Sequence, residues 1–220
     1  MQDTIIIIIP ILIMIFIRMK YMEVVLRPLN TLIHELSHAV VALLLGEKIK
    51  DIKINPDYSG SCTTKSKSKF KAFCVSIVGY VVPSLLGYLI ICELQNTMLN
   101  LLFYILIGVN IFALVFYIRN TFGIIWVLSF SMINILFLYI PMFKPLQPYI
   151  LYFYSCVLLV ENMLATLSLL KINLVSAKDS GDSYNLQKIT HIPALVYSLL
   201  FVGYAFMMIC FSFNSILQMM

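Results

Sequence analysis

The sequence predicts an all-α polytopic membrane protein with about six to seven transmembrane helices and a small β-hairpin or edge strand. Three observations predict it. First, 61% of the 220 residues are hydrophobic and only 11% are charged, whereas a soluble surface needs about 25% charge. Second, the apolar residues come in runs of the length a bilayer requires, about 20 per helix. Third, the basic residues sit between those runs and are distributed unequally over alternate loops. No Pro- or Ser-rich linker divides the chain, so residues 1–220 read as one membrane-embedded domain.

Seven apolar segments follow in order: Thr4–Ile17, Pro28–Gly46, Ala72–Cys92, Met98–Ile118, Phe122–Met142, Pro148–Leu170 and Ile192–Phe213. The first is short for a span. It lacks a basic leader and a small-residue cleavage site, so it reads as a retained helix. Eleven of the fifteen Lys and Arg fall in the loops after the second, fourth and sixth segments, and four in the loops after the first, third and fifth. The positive-inside rule then places the loop 47–71 in the cytoplasm and the C-terminus outside. A basic nucleic-acid surface is a poor account of the +5 charge, because the cations alternate with apolar runs. Their expected neighbour is the lipid bilayer. The five cysteines are scattered without a C-x-x-C pair, which argues against a disulfide framework or a Cys-rich zinc site.

The longest loop has its own pattern. Ile49, Ile52 and Ile54 sit among Lys and Asp, Asn55-Pro56-Asp57 opens a turn, and Ser61–Thr64 can return. This predicts a hairpin at the membrane surface. Lys65, Lys67, Lys69 and Lys71 read as a solvated, lipid-facing run.

Inside the second segment stands His34-Glu35-Leu36-Ser37-His38. On a helix, the i, i+4 spacing stacks two imidazoles on one face, within reach of one metal ion. Glu35 is offset by one residue and suits a general base for a metal-activated water. A buried glutamate is costly in a membrane, so its presence there points to function. Zinc needs a third protein ligand and an open fourth position. His191, beside the last segment, reads as an interfacial side chain, and Asp57 reads as part of a turn. Glu161 and Asp182 remain. Depth favours Glu161, because it lies about as far from the cytoplasmic end of its helix as His38 does.

These residues resemble a known family. Thr31 to Ala39, followed by Leu43-Leu44-Leu45-Gly46, is similar to the site-2-protease-type membrane zinc metallopeptidases, in their compact peptidase-like branch. The likeness continues through Pro56-Asp57-Tyr58-Ser59-Gly60, through Gly79-Tyr80 with Pro83 and Gly87, and through Arg119-Asn120 with Phe122-Gly123. It ends with Asp182-Ser183, Leu186, Thr190 and Ile192-Pro193. Two positions depart from the branch: Ser183 replaces an alanine, and His191 replaces a glycine. The resemblance implies zinc as cofactor and Asp182 as third ligand, against the depth argument for Glu161. An inward-folding loop would be needed, with Gly181 permitting the turn. The implied activity is endoproteolysis of a membrane protein or peptide in or near the bilayer, from an active site opening toward the cytoplasm. Ile49, Ile52 and Ile54 are then expected to offer an edge strand to the substrate. A catalytically silent relative acting as a binding partner is the alternative. A transporter is disfavoured by the lack of an internal repeat.

Overall fold

In the computed structural model, residues 20–57, 59–65, 68–94 and 98–219 are described. The segment Thr4–Ile17 lies outside them. Helix α1 (Lys20–Leu44) carries the His-Glu motif and is followed by strands β1 (Lys48–Ile54) and β2 (Gly60–Lys65). Helices α2 (Lys69–Glu93), α3 (Leu99–Phe116), α4 (Thr121–Tyr139) and α5 (Gln147–Val175) come next. A short helix α6 (Asp182–Thr190) and a long α7 (Ala194–Met219) close the order.

Five helical stretches among the described residues are long and apolar enough to cross a membrane: α2, α3, α4, α5 with its preceding 3-10 turn, and α7. Helix α1 is not one of them. It carries Glu23, Arg27, Glu35 and two histidines, and it is surrounded by α2, α5 and both strands. Its polar groups therefore meet protein rather than lipid.

The interior is built on α2, α5 and α7. Small and polar residues bring α2 and α5 together, as is usual where lipid offers no hydrophobic drive for helix association. Asn162 Nδ2 donates to the Tyr80 carbonyl at 2.8 Å and to Ser84 Oγ at 2.6 Å. Ser155 Oγ donates to the Gly87 carbonyl at 2.6 Å. A second buried cluster joins Leu32, Leu36 and Ala39 of α1 to Ile52 and Ile54 of β1 and to Ile118.

The expected hairpin is present, with Ile54 opposite Gly60, Ile52 opposite Cys62 and Ile49 opposite Thr64. Asp57 forms the expected turn: its Oδ1 accepts from Ser59 N at 3.1 Å and from Ser59 Oγ at 2.6 Å. The basic run is not merely solvated, because Lys71 Nζ donates to the Leu45 carbonyl at 2.6 Å and lies 3.6 Å from Glu47 Oε1. It closes the C-terminal end of α1.

The Arg119-Asn120 corner explains itself mechanically. Arg119 donates to the carbonyls of Leu114, Val115 and Phe116 in the last turn of α3, satisfying orphan acceptors there, and to that of Ile118 just beyond it. Asn120 Oδ1 accepts from Ile54 N at 3.2 Å, and its Nδ2 donates to the Ile54 carbonyl. The corner thus clamps the outer side of β1.

His191 is exposed and takes φ 64°, ψ 9° at the C-terminal end of α6. That left-handed position favours glycine, which is why the related pattern carries one. A non-glycine residue there costs roughly 1–2 kcal/mol, partly offset by the entropy a glycine loses on folding. His191→Gly is expected to raise the midpoint of thermal denaturation in detergent, equivalent to about 0.5 kcal/mol. A lowered midpoint would show that the imidazole has a partner that matters.

Candidate metal centre and active site

The motif helix presents His34 and His38 on one face, as the spacing requires. Their Nε2 atoms lie 3.1 Å apart. Asp182 Oδ2 lies 3.2 Å from each of them. The three side chains offer ligand atoms that all lie within 4.8 Å of one another. Bonds of about 2.0–2.1 Å to a tetrahedral ion separate its ligands by about 3.3–3.4 Å, close to the edges of this triangle.

The chemistry of the donors fits as well. His38 Nδ1 lies 2.6 Å from the Val75 carbonyl. A carbonyl only accepts, so Nδ1 carries the proton and the neutral ring turns a lone pair outward at Nε2. That lone pair faces a carboxylate oxygen at 3.2 Å. Two acceptors at that distance need a positive charge between them: a proton on Nε2, which charges the ring, or a divalent metal in its place. Burial alone would push the Asp182 carboxyl up, but the His38 and His34 rings beside it hold it well below the usual carboxylate range.

Asp182 reaches this place because the segment after α5 folds inward. Gly181 takes φ 52°, and α6 starts immediately after it. Asn173 Nδ2 on α5 donates to Ser183 Oγ at 2.9 Å and to Ser198 Oγ on α7. Ser183 Oγ in turn donates to the Ser180 carbonyl at 3.1 Å. The substitution of serine for alanine at 183 therefore fastens α6 to α5 rather than disturbing it.

Two glycines close the site, and sequence reading noted them only as part of a pattern. A Cβ on Gly79 would stand 2.5 Å from His38 Nε2 and 2.6 Å from His34 Cε1. The backbone of α2 is thus in contact with both imidazoles. A Cβ on Gly60 would stand 2.5 Å from Glu35 Oε1. Next to Gly79, the Tyr80 ring meets the His34 ring edge-on, centroids 4.6 Å apart.

Glu161 is elsewhere. Its Oε2 accepts from Arg27 Nε at 3.0 Å, and it does not join the group formed by His34, His38 and Asp182. The depth argument failed because it placed α5 by length alone, whereas the rotation of α5 turns Glu161 toward Arg27.

The expectation of an exposed edge at Ile49, Ile52 and Ile54 is also corrected. Ile52 and Ile54 are fully buried. On the side away from β2, Ile52 N donates to the Tyr117 carbonyl at 3.0 Å, and Ile54 is held by Asn120. Strand β1 is the inner strand, and the edge near the site belongs to β2. The Cys62 backbone amide on that edge reaches the Glu35 carboxylate. Isoleucines among Lys and Asp marked the strand that packs inward; the strand next to the catalytic glutamate reads only as Gly-Ser-Cys-Thr-Thr-Lys. Burial, then the nearby Glu35 charge, pushes the Cys62 thiol up to about 12, so in the metal-free site it stays protonated.

These groups share a cavity of about 750 Å³, open between α1, β2, α2, α5 and α6. His34, Glu35, His38 and Asp182 line it, with Gly60 and Cys62 from the hairpin.

No curated protein and no solved structure matches the chain. The family model described as Peptidase M50B-like matches residues 5–212. With nearly the whole chain covered, and with an embedded helix carrying His-Glu-x-x-His, the protein is an integral membrane protein that belongs to the Peptidase M50B-like, site-2-protease-type family of membrane metallopeptidases.

Proposed function

We propose that this chain is a zinc-dependent endopeptidase that cuts a membrane or juxtamembrane protein substrate. The convergence of His34, His38 and Asp182 on one point, with Glu35 buried beside them, carries the reading. His34, His38 and Asp182 would hold the zinc. When bound, zinc supplies a Lewis acid and lowers the pKa of a coordinated water. Glu35 takes the proton from the attacking water and passes it to the leaving amine. The Val75 carbonyl fixes the His38 ring, and the serine network at Ser183 fixes Asp182.

A substrate helix hides its own amides, so it must be unwound before the carbonyl is accessible. Strand β2 suits the task of holding the unwound segment by strand addition. Backbone amides alternate sides along a strand, so Thr64 faces the same way as Cys62, toward the site. Thr64→Pro is expected to impair cleavage with zinc content unchanged, because Pro removes the backbone donor that a strand-added substrate would use. Full activity in that variant would refute the role of β2.

The charge bias puts the hairpin and the mouth of the site on the cytoplasmic side. A reporter inserted within residues 65–71 should read as cytoplasmic, and one after Met220 as external; the reverse would invert the orientation.

The direct test uses purified protein and a membrane-spanning peptide in detergent. Cleavage should stop on zinc chelation and return on adding zinc back. Cleavage that persists after complete zinc removal would overturn the proposal.

A further inference from the structure

One wall of the cavity carries a hydroxyl that the described residues leave unused. Tyr80 is partly exposed and lines the cavity beside the metal-binding triangle. Its Oη makes no hydrogen bond among the described residues, yet it is not one of the unpaired polar atoms sealed inside the protein. It therefore keeps accessible surface. Its ring meets the His34 ring at 4.6 Å and the Phe201 ring at 5.0 Å between centroids. A phenylalanine would make both contacts, so packing does not account for the hydroxyl. The hydroxyl of an enclosed tyrosine usually has a partner.

The phenol is fixed from several sides. The Tyr80 carbonyl accepts from Asn162 Nδ2 of α5 at 2.8 Å. Its neighbour Gly79 keeps α2 against both imidazoles. The ring packs on a buried group formed by Leu169 of α5, Leu186 of α6, and Tyr197 and Phe201 of α7. Glu35 reaches the triangle from a different wall, where it stands against Gly60 and the Cys62 amide of the hairpin. The carboxylates of Asp182 and Glu35 are the charges that act on the Tyr80 hydroxyl. It is thus within electrostatic reach of both the third ligand and the base.

We infer that Tyr80 is a further catalytic residue, whose hydroxyl donates a hydrogen bond to the oxyanion formed when the substrate carbonyl is attacked. The assignment rests on the endopeptidase reading. As water adds to the carbonyl carbon, the C=O π pair moves onto oxygen, and Glu35 takes a proton from the water. Base and oxyanion then need groups on different walls, which Glu35 and Tyr80 provide. A phenol is protonated at neutral pH and has one hydrogen to donate. Because the ring is packed in place, the donor needs no reorganisation as charge develops. No proton leaves Tyr80. When the C–N bond breaks, the pair on oxygen restores the carbonyl, and the amine takes the proton that Glu35 held.

The test compares wild type with Tyr80→Phe, which keeps the ring and removes only the hydroxyl. Both proteins are zinc-loaded in detergent and given a set of membrane-spanning peptides of about 20 apolar residues. Mass spectrometry locates the bond that wild type cuts. A copy of that peptide with a phosphinate in place of the bond presents a tetrahedral anionic group that is not cleaved. Tyr80→Phe is expected to keep wild-type zinc content, thermal midpoint and KM, and to lose about tenfold or more in kcat, as befits a contact made only in the transition state. Its affinity for the phosphinate should fall at least about tenfold, the loss of a hydrogen bond to a charged group. A kcat near wild type overturns the assignment, as does a change confined to KM. An unchanged phosphinate affinity also overturns it, since the hydroxyl would then act away from the oxyanion. Lost zinc or a lowered midpoint in Tyr80→Phe does the same, because the hydroxyl would then hold the site together. In all these cases cleavage by wild type leaves the endopeptidase reading intact. A wild-type protein that cuts none of the peptides overturns that reading, and the role of Tyr80 with it.

Discussion

Glu35→Gln is expected to keep about one zinc per chain and to lose cleavage by on the order of 10³-fold, within the range general acid–base groups contribute. His34→Ala is expected to lose the zinc itself, with affinity falling by about a hundredfold or more, since even outer-shell partners of a metal ligand are worth 10- to 100-fold. The difference between the two variants follows from geometry. His34 Nε2 is one corner of a triangle with edges of 3.1 and 3.2 Å, and two remaining corners make a weak site. Glu35 is outside that triangle, buried against Gly60 and the Cys62 amide. Gln keeps its size and loses only the ability to take a proton. Metal analysis of the two purified variants beside wild type decides the matter. Equal zinc in wild type and His34→Ala would remove the site, and an active Glu35→Gln would remove the base.

Gly79→Ala is expected to be the second most damaging change, although it adds a single methyl group to a helix. The new Cβ would stand 2.5 Å from His38 Nε2, and the ring cannot easily move aside. Its other nitrogen is tied to Val75, which lies one turn earlier on the same helix. Either α2 withdraws from α1 or the imidazoles rotate out of alignment. Overpacking of this kind costs about 1–3 kcal/mol, and zinc affinity should fall at least about tenfold, since the ligand geometry is lost. Gly60→Ala provides the contrast. Its Cβ meets Glu35 Oε1 and Cγ rather than the histidines, so zinc should stay while turnover falls. Zinc content and rate measured on both variants separate the two glycines; normal zinc binding in Gly79→Ala would show that α1 and α2 have room to part.

Much of this was legible in the residues themselves. Runs of apolar residues set the helices, because a bilayer admits only backbones that satisfy their own hydrogen bonds. The spacing of His34 and His38 set two ligands, since a helix of fixed pitch leaves them no other relation. Isoleucines among Lys and Asp set β1, and Asn55-Pro56-Asp57 set its turn. All of these are local properties, fixed by a few neighbouring residues.

What the tertiary structure decided was everything that joins distant parts of the chain. Asp182 rather than Glu161 meets the histidines because α6 is fastened to α5 and α7 by Asn173, Ser183 and Ser198, and because α5 faces Glu161 toward Arg27. Neither a loop's inward fold nor a helix's rotation is encoded in hydropathy, which is blind to azimuth in a helix that is apolar all round. The hairpin shows the same limit. Its hydrophobic strand was the conspicuous one, yet hydrophobicity marks what is buried. Burial of Ile52 and Ile54 beneath the Tyr117–Asn120 corner left the free edge to the polar strand β2. The sequence by itself determined which residues can do chemistry; only three-dimensional packing decided which of them share a cavity, because contact between residues more than a hundred positions apart is a property of the whole fold.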